Sequence, residues 1–312
     1  MRQSLMPALL VAVLITTARP TAAQTAADRD PHAGHGGDAQ AAAATQTPAP
    51  AAAPVAVDRA GLPPAEGHAK ARLSASPRHG EYVDVPVAGG PALRAFVAYP
   101  ERKDKAPVVI VIHEIYGLSD WVRGVADQLA ADGYIAIAPD LLTGTGPNGG
   151  GTEAFATRDD VVAGVRGLTP DAVVTKLNAV RGYGLKLPAA NGKTATVGYC
   201  WGGSTSFMYA TRQPALDAAV VYYGTSPADL GTLAAVRAPV LGLYGENDAR
   251  VNATIDPTRA EMSRLSKAYD PHIYPGAGHG FLRAQSGQDG ANLKATEQAW
   301  PTMLAFFAKH LE

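Results

Sequence analysis

A cysteine flanked by glycines, at the junction of a predicted strand and a predicted helix, is the feature that most constrains the fold of this chain. Residues 198–202 read Gly-Tyr-Cys-Trp-Gly, after the apolar run 194–197 and before the helix-compatible stretch 206–210. This context is typical of a nucleophile elbow, a strained turn that leaves no room for side chains at the flanking positions. Cys200 is the only cysteine in the 312 residues. It is either a nucleophile or a small buried core residue, and the partners described next favour a nucleophile.

Two residues that could serve this cysteine follow it along the chain. Asp248 comes shortly after the apolar run 239–243, which predicts a carboxylate near the C-terminal end of a buried parallel strand. His279 lies in a glycine-rich loop after a short predicted strand, from which an imidazole could reach the thiol. The order nucleophile, acid, histidine is that of an α/β-hydrolase. The alternatives are a turn-forming Asn-Asp pair and a solvated loop, and His113 competes only from a position before the elbow.

A second apolar run predicts the surroundings of the thiol. Residues 107–112 are six consecutive apolar residues, mostly β-branched, which indicates a fully buried central strand. The loop after this strand normally supplies one amide of an oxyanion hole, and the residue after the nucleophile supplies the other. We therefore predict that the backbone N–H groups of Ile115 and Trp201 form the hole. Glu114, at the mouth of the buried strand, is expected to have a partner or a function rather than to be a plain surface charge.

Five short motifs together resemble the dienelactone hydrolase family. The resemblance extends over roughly residues 80–310 and implies an α/β-hydrolase fold and hydrolysis of ester or lactone bonds. The motifs are His-Glu-Ile-Tyr-Gly (113–117), Gly-Tyr-Cys-Trp-Gly-Gly (198–203), Tyr-Tyr-Gly (222–224), Gly-Glu-Asn-Asp (245–248) and Gly-His-Gly-Phe-Leu-Arg (278–283).

The resemblance implies specific catalytic roles. Cys200 corresponds to the nucleophile of the family, His279 to the base and Asp248 to the residue that orients the base. Glu114 corresponds to a glutamate that takes the thiol proton when substrate binds. Family members of this kind open the lactone ring of dienelactones, and many relatives act on other esters.

Three further positions correspond to the substrate site of the family. Tyr222 corresponds to a residue that lines it, and Arg283 to the partner of a substrate carboxylate. The family has a second arginine after the Pro-Asp-Leu segment, followed four residues later by tyrosine. Here the segment is followed by a glycine-rich stretch (144–151) and then by Arg158, without tyrosine four residues on. Arg158 is the candidate for the second arginine.

The N-terminal region predicts export. Residues 1–23 combine a basic start, a short apolar core and small residues before position 24, as in a cleaved signal peptide. Residues 24–77 are rich in alanine, proline and glycine and lack aromatic side chains, so we predict a disordered linker. Loss of the signal peptide lowers the formal charge from −1 to −3, because Arg2 and Arg19 are removed. This charge does not suggest nucleic acid or an anionic membrane as a partner.

Residues 78–312 are predicted to form one catalytic domain, in which a mostly parallel sheet is flanked by helices on both faces. We expect an exported, monomeric hydrolase of small-molecule esters or lactones that works through a thioester and needs no cofactor or metal. Two alternatives stay open. One is a general periplasmic carboxylesterase for neutral esters, and the other is a non-catalytic binding protein on the same fold.

Overall fold

One eight-stranded sheet forms the centre of the computed structural model, which describes residues 59–312. The strand order is β1-β2-β4-β3-β5-β6-β7-β8. The pairs β1–β2 and β2–β4 are antiparallel, and the pairs from β4 to β8 are parallel. The strands are β1 (Gly80–Val85), β2 (Leu93–Ala98), β3 (Ala106–Ile112), β4 (Ile135–Pro139), β5 (Ala190–Tyr199), β6 (Ala218–Tyr222), β7 (Val240–Asn247) and β8 (Tyr269–Gly278).

Helices cover both faces of this sheet. They are α1 (Ala69–Ala75), α2 (Asp120–Ala131), α3 (Arg158–Arg166), α4 (Pro170–Lys186), α5 (Trp201–Arg212), α6 (Ala249–Asn252), α7 (Ile255–Arg264) and α8 (Ala291–Leu311). One core layer contains Trp121 of α2 and Trp300 of α8, and the opposite layer contains Leu177 of α4 and Phe207 of α5. In residues 59–312 no helix is both long and apolar enough to cross a bilayer. The predicted α/β-hydrolase architecture is confirmed.

The central strands are buried because they carry apolar side chains on both faces. Every residue of β3, β4 and β6 is buried, as the uninterrupted apolar runs predict. The carboxyl ends of β3, β5, β6, β7 and β8 lie along one edge of the sheet, since these strands are parallel. The loops that follow them carry the candidate catalytic residues, so the sheet itself brings these distant parts of the sequence together.

The N-terminal segment, residues 59–77, packs on the catalytic domain. It contains a short 3₁₀-helix, Glu66–His68, and α1. Leu62 and Ala69 are buried in the core layer of α2. The indole of Trp121 donates a hydrogen bond of 3.0 Å to the carbonyl of Pro64.

The linker prediction is therefore wrong for residues 59–77. A segment with few apolar side chains cannot form a core by itself, but it can bury those side chains against an existing helix layer. The ordered domain starts before residue 78, where the sequence predicts its start. The predicted signal peptide and residues 24–58 lie outside the described residues.

Candidate active site

Cys200 lies in a sharp turn between β5 and α5. Its backbone has φ 55° and ψ −114°, a positive φ that a side-chain-bearing residue rarely adopts. The Cys200 amide donates a hydrogen bond of 3.0 Å to the carbonyl of Tyr222 at the end of the neighbouring strand β6. The turn therefore holds the thiol at the carboxyl edge of the sheet, and the side chain stays partly exposed.

The glycines around Cys200 are required by close backbone contacts. A Cβ atom on Gly198 would lie 1.9 Å from the carbonyl oxygen of Gly202. A Cβ atom on Gly202 would lie 2.3 Å from the carbonyl oxygen of Ile112 and 2.4 Å from that of His113. Real Cβ atoms essentially never come this close to backbone atoms, so only glycine allows β3, β5 and the start of α5 to approach each other in this way.

We expect Gly202→Ala to lower the free energy of unfolding by at least about 2 kcal/mol, because backbone atoms on β3 would have to move. The matched control is Gly182→Ala in α4, where a Cβ atom would meet nothing within 4 Å. This control should be neutral or stabilising by up to about 1 kcal/mol, since alanine favours a helix. Urea denaturation of both variants checks the result, and equal stability of Gly202→Ala and wild type would contradict the steric argument.

Asp248 and His279 form an acid–histidine pair beside this turn, in which the carboxylate is buried and the imidazole is partly exposed. Asp248 follows β7 directly and is 7% exposed, and His279 follows β8. The distance between His279 Nδ1 and Asp248 Oδ2 is 2.5 Å. Such a contact fixes the ring orientation and places the proton of the neutral imidazole on Nδ1, which leaves Nε2 free to act on another group.

The environment of His279 favours its protonated form. Burial acts to lower the pKa of the imidazole, but hydrogen bonds with Asp248 and Cys200, together with their charges, outweigh burial and raise the pKa to about 9. Because Cys200 contributes to the raised pKa, the thiol lies within the range at which its charge acts on the imidazole. The three positions that the motifs predict as a triad therefore meet at one place, although His279 lies 79 positions after Cys200 in the sequence.

Glu114 is buried next to this group. It is 3% exposed, and its Oε2 lies 2.7 Å from Nε of Arg283. The two side chains form an ion pair, but the direction of the Nε–H bond does not meet the geometry of a hydrogen bond. Burial raises the pKa of the Glu114 carboxyl, and the positive charges of Arg283 and His279 oppose this effect. The expected partner of Glu114 is thus Arg283, the residue that the motifs associate with a substrate carboxylate.

Arg158 and Arg283 lie on either side of one carboxylate of the protein itself. Arg158 Nη2 donates a hydrogen bond of 3.1 Å to Oε1 of Glu66, and Arg283 Nη1 donates one to Oε2 of the same side chain. Both guanidinium groups also lie over the ring of Tyr116, with Cζ 3.6 Å and 5.3 Å from its centroid. The structure therefore brings the two predicted arginines together, and it adds Glu66, which no motif in the sequence predicts as their partner.

The two amides predicted to form the oxyanion hole have no acceptor among residues 59–312. Trp201 is the first residue of α5, so its N–H has no partner within the helix. The N–H of Ile115, in the loop after β3, makes no hydrogen bond within these residues either. Both predicted oxyanion-hole donors are thus free to bind an oxygen atom.

Tyr222 does not line an open site, which corrects its predicted role. Its side chain is fully buried, and its ring packs against Tyr199 and Phe281 in the core. The position contributes instead through its carbonyl, which accepts the amide of Cys200. The next residue, Tyr223, has φ 38° and packs its ring edge-on against His279 at 5.2 Å. The Tyr-Tyr-Gly motif marked this turn, but the motif alone could not tell which tyrosine faces the imidazole.

His113, the competing histidine, is fully buried and does not contact Asp248. Its Nδ1 donates a hydrogen bond of 2.7 Å to the carbonyl of Glu114, and its ring stacks on Trp201. Burial lowers the pKa of its imidazole, which therefore stays neutral. His113 supports the loop that carries Glu114 and Ile115, and it does not take the place of His279.

Comparison with known proteins gives the family of this chain. The profile of the Dienelactone hydrolase family matches residues 93–311. A Salmonella typhimurium protein, provisionally named carboxymethylenebutenolidase, is 32% identical over 277 residues, which cover 84% of this chain and 95% of the relative. Carboxymethylenebutenolidase 1 of Cupriavidus pinatubonensis is 30% identical over 209 residues, which cover 65% of this chain and 87% of the relative.

A solved structure has the same fold over nearly its whole length. This crystal structure, of a Klebsiella pneumoniae protein provisionally named dienelactone hydrolase, is 26% identical to the chain, with a TM-score of 0.64. The match covers 74% of this chain and 98% of that chain. With the sheet topology, the elbow and the family profile in agreement, the chain belongs to the dienelactone hydrolase family of the α/β-hydrolase superfamily and is a hydrolase of esters or lactones.

Proposed function

We propose that the protein hydrolyses its ester or lactone through a triad of Cys200, His279 and Asp248, with a thioester acyl-enzyme. The observation that carries this proposal is the single cysteine in a strained, glycine-lined turn, in contact with an imidazole that Asp248 orients. A nucleophile, a base within hydrogen-bond reach and a third group that orients the base together form the usual arrangement for covalent catalysis.

In the first half of the reaction, the Cys200 thiol gives its proton to His279 and the thiolate attacks the carbonyl carbon. The raised pKa of His279 supports this direction of proton transfer. The amides of Ile115 and Trp201 would stabilise the oxyanion, and the loss of one such donor typically costs about 3–4 kcal/mol. The imidazolium then protonates the departing alkoxide, and the acyl group stays on sulfur.

In the second half, His279 acts as a base toward water. Once the sulfur is acylated, the charge and hydrogen bond of Cys200 no longer raise the pKa of His279, so the imidazole loses its proton more easily. The water gives a proton to His279 and attacks the thioester carbonyl, the C–S bond breaks, the carboxylic acid is released, and the Cys200 sulfur takes the proton back from His279. We assign Glu114 to electrostatic support of the imidazolium, because its carboxylate and His279 attract each other. A thioester needs a good base for hydrolysis, which favours activated esters and lactones over amides as substrates.

Rapid acid quenching followed by mass spectrometry tests the thioester. During turnover of p-nitrophenyl acetate, the peptide that contains Cys200 should gain one acetyl group, and the gain should disappear on treatment with neutral hydroxylamine, which cleaves thioesters. The Cys200→Ala protein is the control and should gain none. Acetylation of a serine or threonine near the turn, with the Cys200 peptide unmodified, would contradict the proposal.

The proposed location of this chemistry is outside the cytoplasm. The signal-like residues 1–23 motivate this proposal, and a bacterial periplasm is the compartment we infer. Intact mass spectrometry of protein from the periplasmic fraction should show a chain that starts at Gln24. A chain that retains Met1 and stays in the cytoplasmic fraction would overturn the export proposal.

Two candidate substrates differ in the charge of the acyl group. The relatives named carboxymethylenebutenolidase suggest a lactone that carries a free carboxylate, for which a pair of arginines would be the receptor. In this chain Glu66 already binds both arginines. This contact favours the second candidate, a carboxylesterase that acts on neutral esters.

A further inference from the structure

Four charged side chains form a balanced cluster beside the triad. The guanidinium groups of Arg158 and Arg283 face the carboxylates of Glu66 and Glu114. Each oxygen of Glu66 accepts a hydrogen bond from a different arginine, so this one carboxylate occupies both guanidinium groups at once. Two positive and two negative charges leave the cluster without a net charge for an incoming anion.

The cluster borders the proposed reaction centre. Arg283 lies four residues after His279, in the loop that carries the imidazole. Its charge acts on the buried hydroxyl of Tyr223, whose ring contacts His279. Both arginines lie over Tyr116, the residue that follows Ile115. A group bound between the arginines would therefore lie close to a carbonyl held at the thiol.

Glu66 is held in this position by more than its side chain. Its backbone N–H donates a hydrogen bond of 3.0 Å to the carbonyl of Arg283, so the N-terminal segment is fastened to the same loop. The neighbouring residues Leu62 and Ala69 are buried against α2. A carboxylate tethered in this way competes with free ligands at an effective concentration on the order of millimolar.

We propose that Glu66 is a specificity-determining residue, an internal carboxylate that occupies the two-arginine subsite and makes the enzyme discriminate against substrates with a free carboxylate. This inference rests on the proposed function, because it assumes that the arginines face the bound acyl group. The N-terminal segment, which precedes the region matched by the family profile, thereby sets the charge preference of the site. Neutral esters reach the thiol without displacing any group from the arginines.

The test compares Glu66→Gln with the wild-type protein on a matched pair of substrates. The neutral one is p-nitrophenyl butyrate, and the anionic one is mono-p-nitrophenyl glutarate. We expect the ratio of kcat/KM for the anionic ester to that for the neutral ester to rise about 10-fold or more, mainly through a lower KM for the anionic ester. Glutamine removes the charge and leaves Arg283 free for a charge-assisted hydrogen bond to the substrate.

The matched control is Glu297→Gln. Glu297 forms an ion pair with Arg59, which also joins the N-terminal segment to the domain, but it does not contact Arg158 or Arg283. This variant should leave the substrate ratio within about 2-fold of wild type. An unchanged ratio in Glu66→Gln would overturn the proposal. An equal rise in both variants would overturn it too, since loosening of the segment would then explain the effect.

A binding measurement separates this inference from the catalytic proposal. Calorimetric titration with glutarate, in a Cys200→Ala background, does not depend on which residue is the nucleophile. The Glu66→Gln protein should bind glutarate about 10-fold more tightly than the protein with Glu66. Equal affinities would overturn the role of Glu66, even if the thioester is found on Cys200. Tighter binding would support that role, even if the acyl group is found elsewhere.

Discussion

Replacement of Cys200 with alanine should lower kcat for p-nitrophenyl esters by about 10⁴- to 10⁶-fold, because it removes the thiol that the proposal assigns as the nucleophile. Iodoacetamide should inactivate the wild-type enzyme in proportion to alkylation, and since the chain has no other cysteine, every modified thiol is Cys200. Substrate present in excess should protect the enzyme. Steady-state kinetics with quantified alkylation measures both effects.

The matched control for the nucleophile is Ser204→Ala. Ser204 lies in the first turn of α5, and its hydroxyl accepts a hydrogen bond of 2.8 Å from the amide of Thr225. Ser204 thus places a hydroxyl group near the elbow, but this hydroxyl already binds the backbone of Thr225. We expect a loss of turnover of less than about 10-fold. Full activity after complete alkylation of Cys200, with a severe loss in Ser204→Ala, would show that the wrong residue has been assigned.

The second large effect is expected for Asp248→Asn, which should fold normally and lose up to about 10⁴-fold in kcat. An asparagine amide in place of the carboxylate favours the wrong tautomer of His279 and no longer stabilises the imidazolium. A comparable pair elsewhere in the chain provides the control. His272 Nε2 lies 3.1 Å from Asp270 Oδ2 on β8, and both side chains are exposed. Asp270→Asn should keep turnover within about 2-fold of wild type.

The same substitution should change how the stability of the protein depends on pH. The pKa of His279 is raised to about 9 in the folded protein, against about 6.5 in the unfolded chain. The resulting stabilisation is fully present below about pH 6.5 and is lost as the pH rises through 9. In Asp248→Asn the His279 pKa should fall, and the dependence of stability on pH in this window should weaken. NMR titration of the histidine ring and urea denaturation at both ends of the window measure these changes. A His279 pKa that is unaffected by Asp248→Asn would contradict the coupling.

Features that depend on local sterics and on the ends of strands could be predicted from the sequence alone. Only glycine fits two residues before and two residues after Cys200, so a short motif in the sequence indicated the elbow. Asp248 and His279 follow strands, and because the parallel strands of one sheet end at the same edge, their meeting could be predicted from the order of the elements. The free amide of Trp201 follows from its place at the start of a helix.

The groups that fill the space between those elements became known from the packing of the folded chain. Residues 59–77 have a composition typical of a linker, yet they dock because α2 offers a surface that buries Leu62 and Ala69. Glu66 reaches Arg158 and Arg283 through this docking, and contacts between such distant residues leave no periodic pattern in the sequence. The burial of the Tyr222 ring could not be predicted from the sequence either. The direction of a side chain at the end of a strand depends on the layers that pack around it.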